Sequence, residues 1–600
     1  MADLLSKQYT TVFSKPIDPS TLPRKKRRIT GSDRSLHTIS FTENDIIKAI
    51  DEISSTAAAG PDAFPAILLK KCKTTLAKPI AILWQKCLDT GHIPLPLKQS
   101  MIVPQHKGDS RALPANYRPI ALTSHLIKIF EKILRNHVVT HLEKNNLFNT
   151  NQHGFRAGRS CLSQLLEHFD SILNILDSGS NADVIYLDYS KAFDKVDFSI
   201  VLDKLMDMGV NGKVYDWIES FLTDRVQFVT VNGFLSEHQP VISGVPQGSV
   251  LGPLLFLILL DDIDKDISVE TLIKSFADDT RATRGVNSVK DTSLLQDDLN
   301  RIYAWSKSAN MELNDDKFES LRYGKNKQLK DSTTYTTPAG KAINVKSTVK
   351  DLGVLMSDDC HFKEHIESIE KKAKSISSWI LRTFSTRAQL PMLTLFKSLT
   401  LPILEYCSVL WCPLSVGEIQ KLENIQWSFV RKIKGTRNMD YWQCLKELKL
   451  YSLERRRERY RIIYAWKILE NLVPNINDGV KSKQHPRLGR KCIIPPQKKS
   501  TSLDKIQDSS FTMHALKLFN ALPRNIRDMT NVPLDKFKKA LDLHLRKIPD
   551  EPQLPHYTIR RRAPTNSLID MKTITNSEGC VNLFSVRDIT ASRDCHNTVA

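Results

Sequence analysis

The amino-acid sequence predicts an α+β fold, in which short strands alternate with long helical stretches. Residues Asp183–Leu187 form a short, mostly apolar run and Thr271–Phe276 alternate in character, and both patterns are typical of strands. Residues 295–305 instead carry apolar side chains at helical spacing. The chain has 600 residues, which is more than one compact core accommodates, so we expect several subdomains.

A polar segment precedes the first helical one. We predict that residues 1–40 are basic and disordered. Their run Pro23–Arg28 fits a nuclear localisation signal, a contact with a nucleic-acid backbone or a solvated tail equally well. From residue 41 the pattern becomes helical, with Thr42 as the expected N-cap, and this predicts a helical unit over residues 41–100.

A predicted hairpin leads into an apolar stretch near the middle of the chain. Residues Arg225–Ser243 alternate as strands around a turn at Asn232–Gly233. We expect Ser249 to begin a buried helix, because the longest apolar run, Val250–Leu260, follows it. That run is far shorter than the roughly 20 residues that cross a membrane, so we predict no membrane association.

The charge of the chain indicates a polyanionic partner. It has 86 lysines and arginines against 66 aspartates and glutamates, a net charge of +20. A merely soluble basic surface is the alternative, but the charges are clustered, which favours nucleic acid. The basic runs are Arg24–Arg28, Arg455–Arg461, Lys481–Lys499 and Arg560–Arg562. Aromatic residues close to the second run, Tyr460, Tyr464 and Trp466, fit either a core or stacking platforms for bases.

The ten cysteines follow no metal-binding or disulfide pattern. They include no CxxC pair, so the sequence indicates neither a zinc module nor a disulfide scaffold. No secretory signal is evident in residues 1–13. We therefore expect a reduced, intracellular location, in the nucleus, the cytoplasm or both.

Two predicted strands end in carboxylates. Asp278 and Asp279 follow the strand Thr271–Phe276 at the tip of a hairpin, and Asp188 follows Asp183–Leu187. An acidic pair in a turn is by itself more often solvated than metal-binding. Three carboxylates at one point would repel each other by roughly 4 kcal/mol per pair at about 4 Å, so such a cluster requires cations. Oxygen ligands without His or Cys favour Mg²⁺ or Mn²⁺, and two such ions support phosphoryl transfer.

A third stretch, Ser243–Pro253, lies between the two acidic strands in the sequence. The order YLDYSKAFDKVD, SGVPQGSVLGP and FADD resembles the palm motifs of a reverse transcriptase, specifically that of a non-LTR (LINE-type, jockey-like) retrotransposon. The resemblance covers residues 43–435 well and the remainder more loosely. Further matching blocks occur in the same order at Asn116–Ile120, His153–Arg156 with Gly158–Ser160, and Val349–Val354.

This resemblance implies a right-hand polymerase fold with fingers, a palm built on an antiparallel sheet, and a thumb. It divides the chain into a fingers extension over 41–100, a reverse transcriptase domain of fingers and palm over 87–356, and a helical thumb over 357–475. Residues 476–600 would form a basic, mainly helical C-terminal region that is partly disordered. Relatives usually carry an endonuclease domain ahead of the polymerase, and we expect this chain to lack it.

The resemblance also implies roles at the catalytic centre. Asp188, Asp278 and Asp279 would hold two Mg²⁺ ions, for which Mn²⁺ can substitute. Lys317 corresponds to a lysine that can protonate the pyrophosphate leaving group, although a surface lysine beside two aspartates is an equal alternative. Phe193 would lie under the sugar and exclude a 2′-hydroxyl, unless it is an ordinary core residue.

Further residues are expected to bind the nucleotide. Gln247 and Gly248 lie in the small-residue loop, which lets the backbone approach nucleotide and template closely. Lys107 and Arg118 are matched to triphosphate contacts. The alternative for these two is a surface lysine and an arginine paired with a neighbouring acid.

The predicted activity is RNA-directed DNA synthesis. The partners would be an RNA template, a DNA primer and deoxynucleoside triphosphates, and the sequence names no protein partner. Two alternatives remain. A decayed retroelement remnant would only bind RNA or DNA. A nuclease with the same metal chemistry is disfavoured by the position of Phe193.

Overall fold

A computed structural model describes residues 1–16, 28–29, 34–413, 415–484, 491–494, 504–552, 554 and 566–570. Most of three predicted basic runs and most of the C-terminal segment that we expected to be disordered lie outside these residues. The segments in question are 24–27, 485–490, 495–499, 560–562 and 571–600.

Helices and strands alternate along the first two thirds of the chain, and helices dominate the last third. The strands are β1 (Gln99–His106), β2 (Tyr117–Leu122), β3 (Asn181–Leu187), β4 (Arg225–Val231), β5 (Phe234–Leu235), β6 (Gln239–Val241), β7 (Thr271–Phe276), β8 (Asp279–Val286), β9 (Glu319–Tyr323), β10 (Asn344–Lys346), β11 (Thr348–Asp351), β12 (Val354–Ser357), β13 (Lys481–Gln484) and β14 (Lys491–Ile494). The longer helices are α1 (Ala2–Thr10), α2 (Glu43–Asp51), α3 (Ala66–Lys71), α4 (Lys73–Thr90), α5 (His125–Lys144), α6 (Cys161–Asp177), α7 (Phe198–Asp207), α8 (Gly212–Leu222), α9 (Gly252–Leu260), α10 (Val289–Ser308), α11 (Lys327–Ser332) and α12 (Lys363–Thr383). They continue as α13 (Gln389–Leu395), α14 (Leu401–Glu405), α15 (Val416–Val430), α16 (Tyr441–Glu447), α17 (Leu453–Leu469), α18 (Asp504–Ser509), α19 (Leu516–Ala521), α20 (Arg524–Arg527) and α21 (Leu534–Leu545). The prediction of an α+β fold is confirmed.

The central sheet has the order β10-β9-β3-β8-β7. β3 pairs antiparallel with both β8 and β9, and β7 and β8 form the predicted hairpin. β3 is buried on both faces, because Val184 packs into one hydrophobic cluster and Ile185 and Leu187 into another. A strand that is buried on both faces has a mostly apolar sequence, as β3 does.

Two large hydrophobic clusters cover the two faces of this sheet. One contains buried residues of α2, α4, α5, α7, α8, α9 and α10. Most of the apolar helix α9 belongs to this cluster, and the helix carries apolar side chains on all sides. It begins at Gly252 and not at Ser249, because the Ser249 hydroxyl accepts a hydrogen bond from the Gly252 amide and so precedes the helix. Thr42 caps α2 as predicted.

A second sheet joins β1, β2, β4, β5 and β6. The predicted hairpin turn lies at Asn232 and Gly233, both of which have a positive φ. The prediction that residues 1–40 are disordered is wrong for residues 2–10, which form α1. Leu5 and Tyr9 on this helix are buried against β1, β2 and β4, which gives the N-terminal segment an apolar contact that its polar composition concealed.

The helical C-terminal part shares one core with the other face of the central sheet. This cluster runs from α6 and β3 through α12, α15 and α17 to α19 and α21. The core therefore continues across residue 475, where we placed the end of one unit. Among the described residues, no helix is long and apolar enough to cross a membrane.

The basic run Arg455–Arg461 is largely buried and paired within the fold. It lies on α17, where Arg455 and Arg461 are almost fully buried. Arg459 donates to both carboxylate oxygens of Asp542, at 2.5 and 2.8 Å. Clustered charge misled the prediction here, because the folded chain supplies its own acceptors. The nearby Tyr464 and Trp466 are buried core residues.

Candidate active site

Three acidic side chains meet at one end of the central sheet. Leu187 at the end of β3 pairs with Thr280 of the antiparallel strand β8. Asp188, which follows Leu187, therefore lies next to Asp279, which precedes Thr280. Asp278 lies in the turn between β7 and β8. The structure thus brings together the three carboxylates predicted from separate parts of the sequence.

The turn that carries Asp278 has an unusual backbone. Ala277 has a φ of +55° and is buried. This left-handed conformation costs a residue with a Cβ roughly 1 kcal/mol. Glycine is the usual residue at such a position in a two-residue hairpin turn. Contacts with the surrounding structure must therefore hold the turn in place.

The fold leaves negative charge at this site without full compensation. Burial raises the pKa of Asp278, and the charges of Asp279 and Asp188 raise it further. Burial also raises the pKa of Asp279, where Arg281 and Lys317 act in the opposite direction. Like charges that raise each other's pKa are stabilised by a cation. The donor chemistry therefore fits a hard divalent ion.

The carboxylates are not assembled as a closed ligand set. In the part of the chain that the structure describes, no three His, Cys, Asp or Glu side chains stand in an arrangement that holds a metal ion. Asp188 is instead paired with Lys317, whose Nζ lies 2.8 Å from Oδ2. Two bound magnesium ions therefore stay a prediction.

Lys317 pairs with a carboxylate of the site and not with its sequence neighbours. Asp315 accepts a hydrogen bond from Tyr303, and Asp316 pairs with Lys341. The Lys317 and Asp188 side chains are 54% and 33% exposed, so water screens their pair. The lysine thus lies beside one of the three carboxylates, and its role as a general acid stays a prediction.

Phe193 lies in a layer of aromatic rings. It is half-buried, stacks on Phe256 of α9 with 4.4 Å between ring centroids, and meets Phe155 edge-on at 6.0 Å. Its backbone carbonyl accepts a hydrogen bond from Val245 of the small-residue loop. The ring is therefore fixed by packing and is not enclosed, as a steric gate requires.

Gln247 and Gly248 connect the two sheets. The carbonyl of Gln247 accepts a hydrogen bond from the Ala121 amide of β2, and its Nε2 donates to Asp194 at 2.9 Å. Gly248 has a φ of +136°, and a Cβ there would lie 2.4 Å from the Ala121 carbonyl oxygen. Only glycine fits this approach, which explains one position of the motif in physical terms.

Lys107 and Arg118 lie on the hairpin of β1 and β2, and both are exposed. The Lys107 amide donates to the Asn116 carbonyl at the hairpin end. Arg118 acts on the central site, because its charge is among those that lower the pKa of Asp278 against the dominant effect of burial. Lys107 is close enough to Lys191 to lower its pKa, although burial is the larger cause. The hairpin thus presents cations near the acids.

Several positioning residues were not found from the sequence. Arg281 of β8 donates to Asp351 at 2.5 Å, and both are buried beneath the site. Burial raises the pKa of Asp351 to about 6 although Arg281 lowers it. Glu131 of α5 accepts from the Val250 and Leu251 amides ahead of α9. These partners are far apart in the sequence, so no local pattern indicates them.

Comparison with known proteins agrees with this geometry. The family described as reverse transcriptase (RNA-dependent DNA polymerase) matches residues 104–356, which include the three acids, Phe193 and the small-residue loop. The segment that holds the three acids is thus similar to a reverse transcriptase domain. The matched segment contains the end of β1, the strands β2–β11 and helix α9, so it includes strands of both sheets.

Relatives extend this similarity beyond the reverse transcriptase domain. The chain is 26% identical over 404 residues to the probable RNA-directed DNA polymerase from transposon X-element of Drosophila melanogaster, covering 66% of this chain and 44% of that protein. It is 26% identical over 435 residues to the RNA-directed DNA polymerase from mobile element jockey of the same species, covering 69% and 47%. The jockey protein of Drosophila funebris is 24% identical, over 66% and 44%. The chain thus matches less than half the length of each relative, and the predicted likeness to jockey-type polymerases is confirmed.

Proposed function

We propose that the chain is an RNA-directed DNA polymerase of a non-LTR retrotransposon, which adds deoxynucleotides to a primer 3′-hydroxyl. The observation that carries this proposal is the convergence of Asp188, Asp278 and Asp279 at one end of the central sheet, within a reverse transcriptase domain. The central sheet would be the palm of a right hand. The hairpin of β1 and β2 would belong to the fingers, and the helices of residues 357–475 would be the thumb.

The three carboxylates would hold two Mg²⁺ ions, which Mn²⁺ can replace. Bound there, divalent ions lower the pKa of the primer hydroxyl and steady the triphosphate. Asp188 is held by Lys317 in the structure, so this lysine would move from Asp188 towards the leaving pyrophosphate when substrate binds. It would there donate a proton to the leaving oxygen.

The remaining residues would position the substrates. Lys107 and Arg118 would contact the triphosphate, because both are exposed on a hairpin whose charge reaches Asp278. Phe193 would exclude a 2′-hydroxyl, since Phe256 fixes its ring from behind. Gln247 would present its amide oxygen to the nucleotide or template, because its Nε2 is already bonded to Asp194.

Primer extension on an RNA template tests this function. Wild-type protein and Asp278→Asn would be compared with Mg²⁺ and deoxynucleotides, and with ribonucleotides as the control substrate. We expect extension by wild type alone, and only with deoxynucleotides. If neither protein extends a primer while both shift the duplex on a gel, the chain is a nucleic-acid-binding remnant and the proposed function is wrong.

A further inference from the structure

The backbone turn at Ala277 has a buried partner outside the predicted motifs. Gln152 lies in the loop before α6 and is 6% exposed. Its Oε1 accepts a hydrogen bond from the Ala277 amide at 2.8 Å, and its Nε2 donates to the Ala277 carbonyl at 3.2 Å. One side chain thus satisfies both backbone polar groups of the left-handed residue that precedes Asp278.

The main chain around Gln152 continues this contact. The Ser275 amide donates to the Asn151 carbonyl, and the His153 amide donates to the Ser275 carbonyl. The loop therefore pairs with β7 as a short parallel bridge. Backbone pairing stops where the strand turns, and the Gln152 side chain takes over the role of a strand neighbour at Ala277. The Gly154 amide completes the arrangement by donating to the same Oε1 at 2.8 Å.

The close fit leaves no space for movement of the turn towards the loop. A Cβ on Gly154 would lie 2.4 Å from the Ala277 amide nitrogen. The two backbones therefore touch directly, with Gln152 bridging them. A residue that bonds a buried turn through both ends of its amide restricts the position of the next residue, which here is Asp278.

We propose that Gln152 is a positioning residue that holds the Ala277 turn in its left-handed conformation and thereby sets the place of the Asp278 carboxylate. This inference rests on the proposed function. The side chain is one residue away from the reacting groups and does not touch them. Its effect on DNA synthesis would arise from the geometry of the turn, since misplacing a catalytic group by about 1 Å can cost roughly a hundredfold in rate.

Gln152→Met tests the proposal, because methionine has a similar shape and cannot make the three hydrogen bonds. We expect the extension rate kcat to fall roughly tenfold to a hundredfold while the KM for primer and template stays unchanged. In hydrogen exchange, we expect the amides of residues 276–280 to exchange at least tenfold faster, with little change elsewhere.

Gln164→Met is the matched control. Gln164 on α6 is also buried, and neither atom of its amide group has a hydrogen-bond partner among the described residues. We expect this variant to keep wild-type rate and exchange. Gln152→Asn, whose amide is one methylene too short to bridge the turn, should reproduce the loss if Gln152→Met does not fold.

The two proposals fail in different ways. If wild type extends a primer and folded Gln152→Met extends it equally well, the positioning role is wrong, whereas the proposed polymerase function is supported. If wild type extends no primer, the proposed polymerase function is wrong, and hydrogen exchange alone then tests whether Gln152 holds the Ala277 turn. Fast exchange of the Ala277 amide in wild type, or unchanged exchange in the variants, overturns the positioning role in either case.

Discussion

Two charged clusters of this chain differ in where their counter-charges lie. Burial raises the pKa of Asp278 and of Asp279, and the charge of Asp188 raises both further, while Arg118, Arg281 and Lys317 are the described cations that act against this. The arginines of the run Arg455–Arg461 instead lie inside the helical region, where carboxylates pair with several of them and backbone carbonyls accept further hydrogen bonds.

The contacts of Arg455 and its neighbours make this difference concrete. Arg455 donates to the carbonyls of Pro549 and Asn566 at 3.1 and 2.9 Å. Arg456 pairs with Glu405. A charged cluster that the fold neutralises is structural, whereas one that the fold leaves uncompensated is available to a ligand. The charge pattern of the sequence does not distinguish the two kinds of cluster.

Asp188→Asn is the strongest test of the uncompensated cluster. We expect primer extension to fall by at least ~10³-fold, equivalent to about 4 kcal/mol of barrier. Stability should change by less than about 1 kcal/mol, because the pair with Lys317 is half-exposed. Extension and thermal unfolding measure the two quantities. Asp316→Asn, which removes an exposed aspartate that pairs with Lys341, should alter neither.

Arg455→Ala tests the compensated cluster. Removing one partner of a buried charged network leaves Glu458 and Asp550 without it, so we expect the free energy of unfolding to fall by about 3 kcal/mol. Denaturant unfolding measures this loss. The exposed Arg382 on α12 supplies the control, since Arg382→Ala should be neutral for stability. A stable Arg455→Ala variant with weakened duplex binding would place the run in a nucleic-acid interface after all.

Lys317→Met tests the cation that, among the described residues, forms an ion pair with one of the three acids. We expect kcat to fall by about 10²-fold or less, as for loss of a general acid. Duplex affinity should be unchanged. Lys341→Met, which removes a similar exposed ion pair with Asp316, is the control. A rate equal to wild type would show that Lys317 only balances charge.

The smallest expected effect is a pH dependence of stability that arises from Glu423. It is buried, accepts a hydrogen bond from Tyr441, and its pKa is raised to about 7 by burial although Arg457 lowers it. A raised folded-state pKa gives stability that is present below the unfolded value and is lost as the pH rises through 7. We therefore expect unfolding free energy to fall by on the order of 1 kcal/mol between pH 5 and pH 8 through this group. Glu423→Gln should flatten that part of the pH profile, and an unchanged slope would contradict the assignment.

The sequence by itself determined the elements that carry the candidate site. The strand before Asp188, the hairpin before Asp278 and the apolar helix after Gly248 appear in the structure with boundaries close to those predicted. Local patterns carry this information, because strand alternation, a two-residue turn and a fully apolar helix each depend on neighbouring residues. The order of the motifs along the chain also indicated the resemblance to a reverse transcriptase.

Only the tertiary structure decided which charged side chains have partners within the fold and which turns are fixed by distant residues. Gln152 meets Ala277 across 125 residues, and Arg455 meets Asn566 across 111. The helix Ala2–Thr10 is ordered for the same reason, since its apolar side packs against strands more than ninety residues away. A polar or charged residue has the same local pattern whether its partner is water, a ligand or a distant segment, and the partner appears only when the chain folds.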